Sequence, residues 1–215
     1  YAVTATGWQR MGKTSDMRAG KLEPGRSERG DESPAQAGVI IVSPLSQIHR
    51  VITASRVSDL VTLIDPGTIP ETPAQIAAGR HLKIGMHDIA EVLDGMIAPS
   101  EAHVAALVAF AEGWPRTQPL LIHCWAGISR STAAAFIAAC VLRPEVDEAT
   151  IASSLRRQSH TATPNRRLVA LADDVLGRGG RMMDAIAEIG AGNLAHEAKP
   201  FALPLHFRDG SLSSN

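Results

Sequence analysis

Short apolar runs divide the chain into elements. VIIV (39–42) is a β-branched run, and LVTLID (60–65) follows it after a mixed stretch of helical length, so the pattern opens as strand, helix, strand. HLKIGM (81–86) is a weaker third strand and LLIH (120–123) a fourth, and all four are apolar enough to predict burial on both faces. Helices are marked by their ends. Pro99 suits a first helical position, Val104, Leu107, Val108 and Ala111 then share one face, and Gly113 stops the element. Ser131 to Leu142 is Ala-rich and ends before Pro144, and Asp147 is placed to cap a helix carrying Ile151 and Leu155. Thr163-Pro164 opens another helix, with Leu168, Leu171, Ala172 and Val175 inward and Gly177 closing it. A short helix over 181–189 comes last.

The pattern predicts an α/β domain over residues 38–190, built on a central, mainly parallel sheet flanked by helices. Residues 1–37 read as a flexible N-terminal tail. From position 7 to 37 they mix Gly, Pro, Ser and both charge signs around Leu22, too little apolar surface to offset the entropy of ordering. Residues 191–215 read as an extended, Pro-bounded tail.

Composition then narrows the function. The chain has 215 residues, enough for one sizeable core, and 21 Lys plus Arg against 22 Asp plus Glu. That balance gives no overall basic field for nucleic acid or acidic membranes, so any anion must be captured locally. No apolar run approaches the roughly 20 residues that span a bilayer. The only cysteines are Cys124 and Cys140, which make no disulfide framework, and a reducing cytoplasm is the expected setting. The histidines show no zinc-ligand spacing, so no metal and no cofactor is expected.

GWQRMGKT (7–14) fits the triphosphate-binding pattern G-x-x-x-x-G-K-[ST], but the Gly and Pro that follow oppose the helix such a loop must open. The stronger candidate is HCWAGISRS (123–131), where a predicted strand gives way to a helix. Five residues separate Cys124 from Arg130, and a curl of that length turns successive N–H groups, including the free donors of the helix start, onto one point. Gly127 permits the backbone angles of the curl. The same donors stabilise a Cys124 thiolate, and the Arg130 guanidinium can grip two phosphate oxygens at once. Cys140, on an apolar helix, reads as core.

HCWAGISRS resembles the H-C-x-x-G-x-x-R-[ST] signature of the cysteine-dependent protein tyrosine phosphatases, and its AGxSRS form is closer to the dual-specificity and bacterial tyrosine phosphatase-like branch. The resemblance extends more weakly from Gly38 to Leu176, where TPNRRLVALAD is similar to the Pro-Asn helix start that follows the signature helix. It implies a phosphatase loop between strand and helix and a phosphocysteine mechanism without metal. Cys124 would attack, and the amides of Trp125, Ala126, Gly127, Ile128, Ser129 and Arg130 would hold the phosphate oxygens. Ser131 would hydrogen-bond the thiolate, His123 orient the loop and Asn165 brace it. The general acid would be Asp88, in IGMHD, with Asp94 in LDG the second candidate. The implied substrate is a phosphorylated protein or small aryl phosphate, because Trp125 and Ile128 make the loop apolar where similar lipid phosphatases carry lysines. Two alternatives stand beside this reading: a phosphoprotein-binding pseudophosphatase lacking a working acid, and a sulfurtransferase using the same kind of loop. Arg156, Arg157, Arg166 and Arg167 are a further candidate anionic-substrate surface.

Overall fold

The computed structural model describes residues 38–207; the N-terminal tail predicted over 1–37 and the GWQRMGKT motif lie outside them. Five strands form one sheet: β1 (Val39–Pro44), β2 (Asp59–Ile64), β3 (His81–Gly85), β4 (Leu120–Cys124) and β5 (Phe201–Pro204), in the order β3-β2-β4-β1-β5. β1, β2, β3 and β4 run parallel, and only β5 is antiparallel, pairing with β1. The α-helices among the described residues are α1 (Ile48–Ser55), α2 (Glu101–Glu112), α3 (Arg130–Leu142), α4 (Glu148–Gln158), α5 (Arg166–Val175) and α6 (Arg181–Ile189). The α/β architecture predicted from the pattern is therefore present.

Alternation along the strands sorts the core into two layers. Ile40, Val42, Val61, Leu63, Leu120 and Ile122 point to the face that α2 to α6 cover, while Ile41, Leu60 and Leu121 point to the face covered by α1. In β2 and β4 every residue is buried, which is why they read as mostly apolar runs, interrupted by Thr62 and His123. α3 is the central helix of the larger layer. Its Ala run allows close approach of the neighbours, and Val141 is its only residue that is not buried.

Element boundaries moved where side chains offered a better cap. α2 starts at Glu101, two residues beyond the expected Pro99, because Ser100 and His103 form a reciprocal cap in which the Ser100 N–H donates to His103 Nδ1. Likewise α5 starts after Asn165, whose Oδ1 accepts from the Leu168 N–H at 3.0 Å.

The stretch read as an extended tail is extended, and its middle is part of the fold. β5 pairs Leu203 with Ile40, and the residues leading to it run along the loop ends of the sheet. Gly192 packs so close to the chain that a Cβ there would stand 2.5 Å from the Thr161 carbonyl carbon. The pairing spans the whole domain, so neighbouring residues carry no sign of it.

Candidate functional site

β4 ends at Cys124 and α3 begins at Arg130, so residues 125–129 form the expected loop between the central strand and the central helix. Its carbonyls face outward onto fixed donors. Trp125 O accepts from Leu45 N–H at 3.1 Å, Ala126 O from Ala198 at 2.8 Å, Ile128 O from Thr163 at 2.9 Å and Ser129 O from Asn165 at 3.3 Å. In a trans peptide the N–H points opposite to the carbonyl it is joined to. Holding these carbonyls outward therefore turns the N–H groups of Ala126, Gly127, Ser129 and Arg130 inward. The Gly127 N–H shows this directly, donating to Cys124 Sγ at 3.3 Å. Gly127 has φ +72°, and a Cβ there would lie 2.9 Å from Pro44 N, so the curl passes β1 at a distance only glycine allows.

Cys124 is buried, and Ser131 Oγ lies 3.1 Å from its sulfur. The two cysteines differ sharply in setting: burial, with a smaller push from Glu148, drives the Cys140 thiol up to about 12, leaving it inert. Arg130 is also buried. Its Nη1 donates to Asp65 Oδ1 at 2.6 Å and to Met86 O at 2.7 Å, whereas its Nε has no hydrogen-bond acceptor among the described residues. The guanidinium is thus anchored by one nitrogen, with Nε left free to donate.

Asp88 follows β3 and stands beside the loop. Its Oδ1 accepts from Ser129 Oγ and from Asn165 Nδ2, both at 2.7 Å, and its Oδ2 is 3.7 Å from Arg130 Nε. Asp94 lies in an exposed turn farther along that segment, and its carboxylate has no hydrogen-bond partner among the described residues. The segment is closed at its base by His87, which donates its N–H to Ile97 O at 2.8 Å and accepts the Ile97 N–H on Nδ1 at 2.9 Å. Asp88, Asn165, Ser129, Arg130, Ser131 and Cys124 are therefore brought together, and Asp94 is not.

His123 sits under the loop, fully buried. Its Nδ1 is 3.4 Å from Cys124 O, a carbonyl that can only accept, so Nδ1 carries the proton and Nε2 accepts from Thr62 Oγ1 at 2.7 Å. Thr62 then accepts from His81 Nε2 at 2.7 Å, and His81 Nδ1 accepts from Thr72 Oγ1 at 2.8 Å. Every member of this chain works as a neutral group. Burial accordingly holds both His123 and His81 down at about 4, helped at His81 by the charge of Lys83.

Sequence reasoning missed Asp65. Besides Arg130, it accepts from Trp125 Nε1 on Oδ2 at 2.9 Å. Partial burial alone would raise its carboxyl, but the hydrogen bonds from Trp125 and Arg130, with the Arg130 charge, outweigh that and hold it below the ordinary carboxylate range. The available signal was the DPGT turn closing β2. The arginine surface dissolves in part: Arg156 is spent on the carbonyls of Ser159, His160, Ile189 and Gly190, and Arg167 on Pro99 O.

A solved structure shows a similar arrangement of strands and helices. The human tyrosine phosphatase-like serine/threonine/tyrosine-interacting protein aligns over 65% of this chain and 91% of its own, with a TM-score of 0.50 and 14% identity. The chain thus has a tyrosine phosphatase-like fold. The PTP-2 phosphatase of Cydia pomonella aligns over 63% of this chain and 84% of its own at 22% identity, with a TM-score of 0.49. No protein-family model and no curated protein sequence matches the chain. Within this fold, the HCWAGISRS loop falls where β4 meets α3. Among the described residues, no cluster of three or more His, Cys, Asp or Glu side chains could hold a metal ion, and no helix is long and apolar enough to cross a membrane.

Proposed function

We propose that the protein is a phosphomonoesterase acting on protein phosphotyrosine or dual-specificity sites, or on small aryl phosphates, through a phosphocysteine intermediate. The observation that carries this is the meeting of a buried thiol, inward N–H groups and a guanidinium with a free Nε in one loop. That set is complementary to a phosphoryl group whose charge sits on its equatorial oxygens. Cys124 Sγ attacks phosphorus, the P–O bond to the alcohol or phenol breaks, and Asp88 gives its proton to the departing oxygen. Asp88, now ionised, takes a proton from water as the water oxygen attacks phosphorus. The S–P bond breaks, phosphate leaves, and the Ser131 hydroxyl donates to the thiolate as it forms. Arg130 and the loop amides hold the three equatorial oxygens through both steps. This chemistry draws on no metal and no cofactor. The catalytic unit extends from residue 38 to β5, and its setting is cytoplasmic.

The test is phosphate release from p-nitrophenyl phosphate near pH 6 with EDTA present. Release should persist under chelation, vanish in Cys124→Ser while that variant still binds phosphate, and fall on the order of 10²–10⁴-fold in Asp88→Asn. A fully active Cys124→Ser protein would overturn the mechanism. Oxyanion binding without release by the native protein would identify a phosphate-binding module instead, and thiocyanate formation from thiosulfate and cyanide would identify a sulfurtransferase.

A further inference from the structure

Asp65 serves two groups of the loop at once. It follows β2, the strand next to β4, so its side chain emerges at the same end of the sheet as Cys124. The backbone there is fixed by a tight turn. Pro66 is followed by Gly67 at φ +83°, and the Asp65 carbonyl accepts from both the Thr68 N–H at 3.1 Å and the Thr68 hydroxyl at 2.7 Å. From this rigid base, one carboxylate oxygen takes Arg130 Nη1 and the other takes the indole N–H of Trp125.

The consequence is geometric. Trp125 is 43% exposed, so its ring adds little to the core, yet it is held at both ends: the indole by Asp65 and the backbone carbonyl by Leu45. Because one carboxylate group bridges them, the indole stands beside the guanidinium expected to hold the phosphate. An aromatic wall fixed there would meet the first atoms beyond the oxygen of a phosphate held by Arg130. An aromatic ring there gains a stacking contact that an alkyl chain lacks.

We propose that Asp65 is a specificity-determining residue, fixing the Trp125 indole beside Arg130 so that the site favours aromatic over aliphatic phosphoesters. This rests on the phosphatase reading of the site and names its substrate class. The Asp65 charge also acts on the phosphoryl group, but equally for every ester, so it cancels in a ratio of two ligands with the same head.

The experiment measures calorimetric affinity of the full chain for phenylphosphonate and methylphosphonate, whose P–C bonds the proposed chemistry does not cleave. The variants are Asp65→Ala, Trp125→Phe and both together, with Asp65→Asn as a variant of native volume. The native protein should prefer phenylphosphonate, and Asp65→Ala should lower that preference about fivefold, the scale of one aromatic contact. Trp125→Phe keeps a ring but removes the N–H, and should lower it similarly. The double variant should lose no more than either single one, because the two residues act as a unit. Asp65→Asn, with one acceptor for two donors, should fall between native and Asp65→Ala. An unchanged preference in a folded Asp65→Ala protein, or losses that multiply in the double variant, would overturn the proposal while leaving the phosphatase reading intact. Failure of the native protein to bind either phosphonate would remove both.

Discussion

Asn165 joins the start of one helix to the loop of another strand: its Oδ1 caps α5 through the Leu168 N–H, and its Nδ2 donates to Asp88 Oδ1 at 2.7 Å. The two ends of one amide can be tested apart. Asn165→Asp keeps the capping oxygen and sets a second carboxylate against Asp88. Its melting temperature should stay near the native value while kcat drops at least tenfold and the acid limb of the pH profile shifts. Asn165→Ala should also lose stability, by about 1 kcal/mol for the missing cap.

Ser131 Oγ lies 3.1 Å from Cys124 Sγ. Ser131→Ala should slow the second step more than the first, so that rapid mixing shows a burst of nitrophenol followed by a turnover lowered about 10–100-fold, the weight of one donor to a developing charge. A uniform loss without a burst would place Ser131 elsewhere in the cycle.

Gly127→Ala should damage the loop without touching any reacting group. Its φ of +72° disfavours a side chain, and the added Cβ would press on Pro44 N at 2.9 Å. Stability should fall by about 1–3 kcal/mol and phosphate binding should be lost, measured by urea unfolding and calorimetry on the same sample.

The histidine chain gives a pH prediction. Burial holds His123 and His81 down at about 4 in the folded protein, against the ordinary 6.5 of the unfolded chain, so the unfolded chain binds more protons between these values. Stability is therefore complete above 6.5 and falls as the pH drops from 6.5 towards 4. Buried His123 sets the scale at roughly 3 kcal/mol, and half-buried His81 adds less because solvent screens it. Urea midpoints at pH 7.5 and 5 should differ in that direction, and Thr62→Val, which removes the hydroxyl between the rings, should be destabilised at both.

How much of this was legible depended on how far apart the partners lie. The loop from Cys124 to Arg130 is local, so its spacing displayed its geometry. β1, β2 and β4 were visible because nearly all their residues are buried, whereas the burial expected for β3 was overstated: it is an edge strand in which only Ile84 is buried and Lys83 is exposed. Asp88 was found only through the resemblance, since nothing around IGMHD states that it meets Ser129 and Asn165. Asp65 was invisible for a different reason. Its partners lie 60 and 65 residues away, in the loop and the helix start that follow a strand adjacent in the sheet but not in the chain. Reading it would have required the strand order. β5 was misjudged as a tail because a short, Pro-bounded edge strand looks the same as an extended linker.

The same late segment bears on how the protein comes into being. Ala198 supplies the N–H that turns the Ala126 carbonyl outward, and β5 closes against the first strand of the domain. During synthesis the loop with Cys124 and Arg130 leaves the ribosome long before these residues do. A nascent chain that has completed α6 still lacks one brace of its anion cradle, so the thiol should become competent only as the end of the domain emerges.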